Sequence, residues 1–213
     1  MQIQRSVDPS TRQGRRVLET RRRFMRALAE LCLEIDYGAV TIDAIAARAD
    51  LGRATFWKHF RDKDDLLFQM STVLRQDLDA RVAAVPTDNV GFTGELTTAA
   101  FEHAAAEPQM YRVVLRGTGD GVPLLALLDE VARTAEQIFG SRAKRLDAQA
   151  RIPLEVVSRA WAGQTATLML WWLETGMPHP PAEMARMANE LALHGHLWAQ
   201  GFAERYLSDG PQM

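Results

Sequence analysis

Arg53, Thr55, Trp57, Lys58 and His59 crowd into the seven-residue run RATFWKH, with Thr41 and Lys63 a short way to either side. Their shared chemistry is hydrogen bonding to anionic oxygens and base edges. Arginine and lysine can donate to O6 and N7 of guanine, whereas hydroxyl, indole and imidazole groups serve mainly as phosphate contacts. Arg53, Thr55 and Lys58 are expected on the outward side of one helix, with Arg53 and Lys58 reading bases. Thr41, Trp57, His59 and Lys63 are expected to touch phosphates.

A pair of short helices must position these groups, and the stretch TIDAIAARADLGRATFWKHF provides it. Ile42, Ile45, Ala46 and Ala49 recur at helical spacing behind Thr41, whose hydroxyl can cap the first turn. The break falls at Asp50-Leu51-Gly52, and a second helix from Arg53 to His59 sends Phe56 and Phe60 inward. This is a helix-turn-helix, whose second helix enters the major groove while the first crosses the phosphates. Charge agrees. Residues 1–63 hold 13 basic against 8 acidic side chains and the remainder 12 against 19, so a net −2 divides into a basic first part and an acidic second.

Nothing marks an activated nucleophile, so no catalytic residue is assigned and the chain is not expected to be an enzyme. His194 and His196, two apart on a helix, would point about 200° from each other and cannot share an ion, so no metal is expected. The loop Gly117-Thr118-Gly119-Asp120-Gly121 lacks the strand and spacing of a phosphate cradle and reads as a plain turn; no cofactor is expected. Cys32 is a lone thiol in an apolar helical pattern, consistent with a reducing cytoplasm. No membrane span and no signal peptide is read.

The chain reads as all-α throughout. Residues 1–15 form a polar, basic, flexible arm, and from Val17 a helix carries Phe24, Leu28, Leu31 and Ile35 until Tyr37-Gly38-Ala39 ends it, with Gly38 at the position after the helix end. Arg21, Arg22, Arg23 and Arg26 near its start oppose the helix dipole, which a nearby phosphate backbone would explain. The helix-turn-helix domain spans 16–62. A connecting helix over 63–86, capped by Asp62 and stopped by Pro86, reaches about 33 Å. The body, 87–213, is read as helices near 92–106, 108–116, 122–142, 153–175 and 181–206.

These residues resemble the tetracycline-repressor (TetR) family of bacterial transcription regulators. Ile45-Ala46, Ala49, Leu51, Thr55, His59-Phe60, Lys63 and Leu66-Leu67 stand where that family's motif expects them. Three positions depart: Asp50 replaces a glycine expected at positive φ, Gly52 a serine cap, and Trp57 a tyrosine. The resemblance implies an N-terminal three-helix DNA-binding domain followed by a C-terminal helical ligand-binding and dimerisation domain. The implied function is a cytoplasmic regulator, a repressor released from a palindromic operator by a small molecule. An adapter of the same fold answering to a protein partner is the alternative.

The resemblance also implies a homodimer formed by the last two long helices. Residues 154–173 are apolar nearly all round, and Met184, Leu191 and Trp198, with Met187 and His194 alongside, are the expected seam. For the effector, an implied cavity among the middle helices would be walled by Phe101, Met110, Tyr111, Trp161 and Met169, with His103, Gln164 and Thr165 as polar contacts. No cationic cluster is evident there, so a neutral or weakly polar, partly aromatic compound is expected.

Overall fold

The structure, a computed structural model, describes residues 11–83 and 94–199, with only the backbone for 196–199. Every element among the described residues is helical: α1 (Arg12–Glu34), a single 3-10 turn (Tyr37–Ala39), α2 (Ile42–Arg48), α3 (Arg53–His59), α4 (Lys63–Ala83), α5 (Glu95–Ala106), α6 (Pro108–Leu115), α7 (Val122–Arg145), α8 (Leu154–Glu174) and α9 (Pro181–Ala199). The all-α reading thus holds. Residues 1–10 of the expected arm, the stop at Pro86, the Trp198 side chain and any helix beyond 199 lie outside the described residues.

α1 begins at Arg12, five residues before Val17. The reason is local: Thr11 accepts the Gly14 N–H at 2.9 Å, so a side-chain cap starts the helix within what reads as a polar arm. Its end also differs. α1 stops at Glu34, and the Tyr37–Ala39 turn is a separate element in which Asp36 accepts the Gly38 N–H at 2.7 Å. Gly38 therefore serves a close approach instead of a left-handed cap: a Cβ there would lie 2.9 Å from Asp36 Oδ1. Asp50 does adopt φ +52°, and Asp62 does cap α4, accepting the Asp65 N–H at 2.7 Å.

The helices fall into two compact units. The first holds residues up to Arg75 together with Gln109–Ala126, and the second holds Gln76–Pro108 and the chain from Leu127. This division cuts across a boundary at 63 or 87, and Gly119 shows why. It takes φ +82° in the turn after α6, and a Cβ there would lie 3.0 Å from a Leu67 methyl and 3.5 Å from the Tyr37 ring. A residue without a side chain seats this turn on the first unit.

In the second unit α9 packs chiefly on α5, and α8 touches both. Trp172 is fully buried, edge-on to Phe101 at 5.3 Å between centroids, and its indole N–H donates to the His179 carbonyl at 2.8 Å. Burying so large a side chain with its polar atom satisfied fixes the α8–α5 pairing. Within α9 the backbone leaves helical geometry at Gly195 (φ 81°, ψ 173°). No metal-binding cluster occurs among the described residues, and the His196 side chain lies outside them.

Candidate nucleic-acid interface

Three phenylalanines hold the first three helices together. Phe24 of α1 meets Phe56 of α3 edge-on at 5.4 Å and Phe60 at 6.0 Å, and Phe56 and Phe60 lie 5.5 Å apart. Phe24, Leu28, Ile45 and Phe56 are fully buried, and Ala46 is buried where α2 meets its neighbours. Such aromatic pairs add about 0.5–1.5 kcal/mol beyond area burial, and their edge-on geometry fixes how α3 is rotated.

That rotation decides which side chains face outward. Arg53, Ala54, Trp57 and Lys58 are exposed, Trp57 by 47%, while Thr55 and His59 are half-buried at the shoulders. Thr55 is thus not a full member of the outward face, and Ala54, absent from the expected set, is. The spacing accounts for it: 53 and 57, and 54 and 58, are helical neighbours, whereas 55 turns toward the flank. Arg53 pairs with Asp43 of α2 at 3.1 Å, both well exposed. An exposed pair of this kind contributes about 0–1 kcal/mol, so Arg53 can leave it for another anion. Burial first, then the charges of Arg21 and Lys58, push the pKa of the His59 imidazole below its ordinary value.

Two of the arginines expected to face phosphate hold the fold instead. Arg23 donates to the carbonyls of Ala49 (2.6 Å) and Asp50 (3.1 Å), satisfying the end of α2 where Asp50 turns left-handed. Arg21 bonds Gln69 and lies over the Phe60 ring at 5.6 Å. Arg48 binds Glu34 through two bonds of 2.9 and 2.7 Å, fastening α2 to α1, and this contact holds the Glu34 carboxyl below its usual range.

Thr41 caps α2, accepting the Ala44 N–H at 3.1 Å, and remains exposed. Lys63 is placed differently from the phosphate contact expected of it. Its ammonium donates to the carbonyls of Tyr37 (2.7 Å), Gly38 (3.4 Å) and Val40 (3.2 Å) and sits 4.4 Å from the Tyr37 ring centre. All three N–H groups are committed to the turn that precedes α2. Lys63→Met should therefore lower stability by about 1.5–3 kcal/mol, the range for bonds to a charged group. The slope of log affinity against log salt should stay unchanged in the same variant; a slope smaller by about one would restore the phosphate role.

The remaining expected residues separate. Phe101, His103, Met110, Tyr111, Thr165 and Met169 are buried, and Trp161 and Gln164 half-buried. Met110 and Tyr111 belong to the first unit and the other six to the second. Trp161 meets Phe139 edge-on, and the Gln164 amide donates to the Ala188 carbonyl at 3.2 Å. Thr165 Oγ1 is buried without a hydrogen-bond partner among the described residues. Of the expected seam, Met184 is 2% exposed, packed with Ala185 and Ala188 inside its own chain, and so is withdrawn from a partner; Met187 and Leu191 are half-buried and His194 exposed. The more open apolar surface lies on α8, where Val156 (54% exposed), Ala160, Gly163, Thr167 and Trp171 (47%) follow one helical face.

Comparison with known proteins agrees with this architecture. A family model described as "Bacterial regulatory proteins, tetR family" matches residues 24–70, and one described as "Transcriptional regulator C-terminal region" matches residues 94–194. The chain is 25% identical over 173 residues to the uncharacterized HTH-type transcriptional regulator YxbF of Bacillus subtilis (strain 168). That match covers 81% of this chain and 44% of the relative, so the chain spans less than half of the relative's length. A TetR-family transcriptional regulator from Syntrophomonas wolfei superposes with TM-score 0.69 at 17% identity, covering 87% of this chain and 97% of that one. The regulator FadR from Bacillus subtilis, in complex with stearoyl-CoA, superposes with TM-score 0.66 at 13% identity over 82% and 98%. With the Phe24-centred head matched by one model and α5 to α9 by the other, this chain belongs to the TetR family of bacterial transcriptional regulators.

Proposed function

We propose that the chain is a homodimeric repressor that leaves a palindromic operator when a small molecule binds. The observation that carries the DNA half is the outward face of α3, where Arg53, Ala54, Trp57 and Lys58 stand together on a rigid aromatic base. Arg53 and Lys58 read guanine, and the Ala54 methyl suits a thymine methyl. Thr41, Trp57 and His59 hold the phosphates, with Thr55 at the flank. No described helix is long and apolar enough to cross a membrane, which fits a regulator working on cytoplasmic DNA.

The effector half is supported by the unpartnered Thr165 hydroxyl, since a buried polar group left unpaired costs about 1–3 kcal/mol and a ligand acceptor would remove that cost. Phe101, His103, Trp161, Gln164 and Met169 remain its proposed companions in the second unit. Ligand and DNA then act on one equilibrium, and the shift is bounded by the ligand's differential affinity for the two states. Because FadR of similar fold was solved with stearoyl-CoA, acyl-CoA thioesters are rational first compounds to titrate.

Lys58→Ala tests the base-reading assignment. It should cost about 1–3 kcal/mol on cognate duplex and much less on random duplex, as measured by fluorescence anisotropy at fixed salt. Equal losses on both would reassign Lys58 to the backbone.

A further inference from the structure

Arg53 opens α3, and nothing within that helix holds it there. Gly52 provides no side-chain cap, no acidic residue lies in the first turn, and a cation at a helix N-terminus opposes the dipole. The partner comes from α2. Both Asp43 oxygens approach the same Arg53 nitrogen, Oδ1 at 3.1 Å and Oδ2 at 3.2 Å from Nη1. Nε and Nη2 engage nothing among the described residues. Arg48 is used differently: its Nη1 and Nη2 both bond Glu34, at 2.9 and 2.7 Å, so its end-on pair of donors is spent in fastening α2 to α1.

The edge that Asp43 leaves open suits a base. Nε–H and one Nη2–H run parallel and form a fork that matches O6 and N7 of guanine. A phosphate accepts the same fork but is drawn also by net charge, which a carboxylate beside the guanidinium offsets. Guanine, a neutral acceptor, loses little by that offset. Stability does not explain the pair, because side chains 60% and 68% exposed fasten two helices only weakly. The pair is weak enough to open, yet guanine leaves it closed by docking on the other edge. Asp43 also lies in the first turn of α2, where a carboxylate complements the dipole. That role accounts for an acid at this position and not for both oxygens turning to Nη1.

We propose that Asp43 is a positioning residue for DNA reading: it holds Arg53 with the Nε–Nη2 edge free for guanine and makes that arginine a poor phosphate contact, raising sequence preference while lowering non-specific affinity. This rests on the assignment of Arg53 to base reading above. Asp43 is missing from the expected site because a carboxylate reads from sequence as a group that DNA repels.

The test uses the full chain, a cognate duplex selected from a random pool, and a random duplex. A third duplex is the cognate with 7-deazaguanine, which lacks the N7 acceptor, at the guanine whose preference Arg53→Ala loses. In the parent this base should weaken binding about fivefold or more. In Asp43→Ala and Asp43→Asn the loss should fall below about twofold, while the salt slope on random duplex steepens by about one as Arg53 turns to phosphate. Asp43→Glu keeps the charge and should keep the parent's slope. Guanines whose preference Lys58→Ala loses should be read as before in all three variants, which a general loosening of α3 would not allow.

Asp43→Ala and Asp43→Asn retaining the parent's response to 7-deazaguanine overturn the proposal and leave base reading by Arg53 intact. Preference lost equally at the Lys58 positions also overturns it, by reducing Asp43 to a support of the fold. An unchanged slope on random duplex overturns the charge-offset half. Arg53→Ala keeping every sequence preference contradicts the reading of Arg53 itself, and the proposal falls with it.

Discussion

Phe24→Ala should destabilise the first unit by about 3–5 kcal/mol, the cost of removing a large buried aromatic, and should abolish specific DNA binding. Phe24 is fully buried and contacts both Phe56 and Phe60 edge-on, so its loss opens a cavity beneath α3 and removes two ring contacts. The exposed side chains of α3 remain chemically intact, yet they lose the platform that holds their orientation. Urea unfolding should show the shift, and anisotropy should show cognate and random duplexes bound alike. Leu18→Ala, at an exposed position on the same helix, serves as control and should change stability by under about 0.5 kcal/mol. Retained sequence preference in a folded Phe24→Ala protein would mean that another contact orients α3.

Gly163→Arg should convert the proposed dimer to a monomer. Gly163 lies midway along the open α8 face, and a Cβ added there meets no atom within 4 Å. The isolated chain therefore accommodates a side chain at this position, and replacing a mid-helix glycine removes a penalty of about 0.8–1 kcal/mol. A partner packed on Val156, Ala160, Thr167 and Trp171 would meet an uncompensated buried charge, costing several kcal/mol. Light scattering should report a monomer, with circular dichroism and melting temperature preserved. Because one head spans one half-site, operator affinity should fall steeply while half-site affinity persists. A variant still dimeric would move the interface away from α8.

The parts of this architecture legible in the sequence are those where local pattern and tertiary role coincide. Thr41, Asp50 and Asp62 are capping or turn residues whose chemistry acts within a few positions, and the structure uses each in that way. Phe56 and Phe60 are inward at helical spacing for the same reason. Long-range partners left no such mark. Lys63 reads as a free cation because its acceptors, the carbonyls of 37, 38 and 40, are more than twenty residues distant. Arg23 reads likewise until α2's end is placed against it. α8 shows the limit from the other side: when nearly every position is apolar or small, periodicity cannot say which face the chain covers. Heptad spacing points Met184 to a seam, yet its side chain is already buried within its own chain. The coupling of the turn at Gly119 to the first unit depends on a close approach across about fifty residues, which no window along the chain records.

Selection of bound duplexes from a random pool, carried out with the full chain, tests most directly whether the α3 face reads DNA. The account predicts an enriched palindrome whose half-sites lie about one helical turn, or a multiple of it, apart, with guanine at positions lost when Lys58 or Arg53 is replaced by alanine. Recovery of sequences no more alike than the starting pool, or of one enriched site unaffected by both replacements, would contradict it.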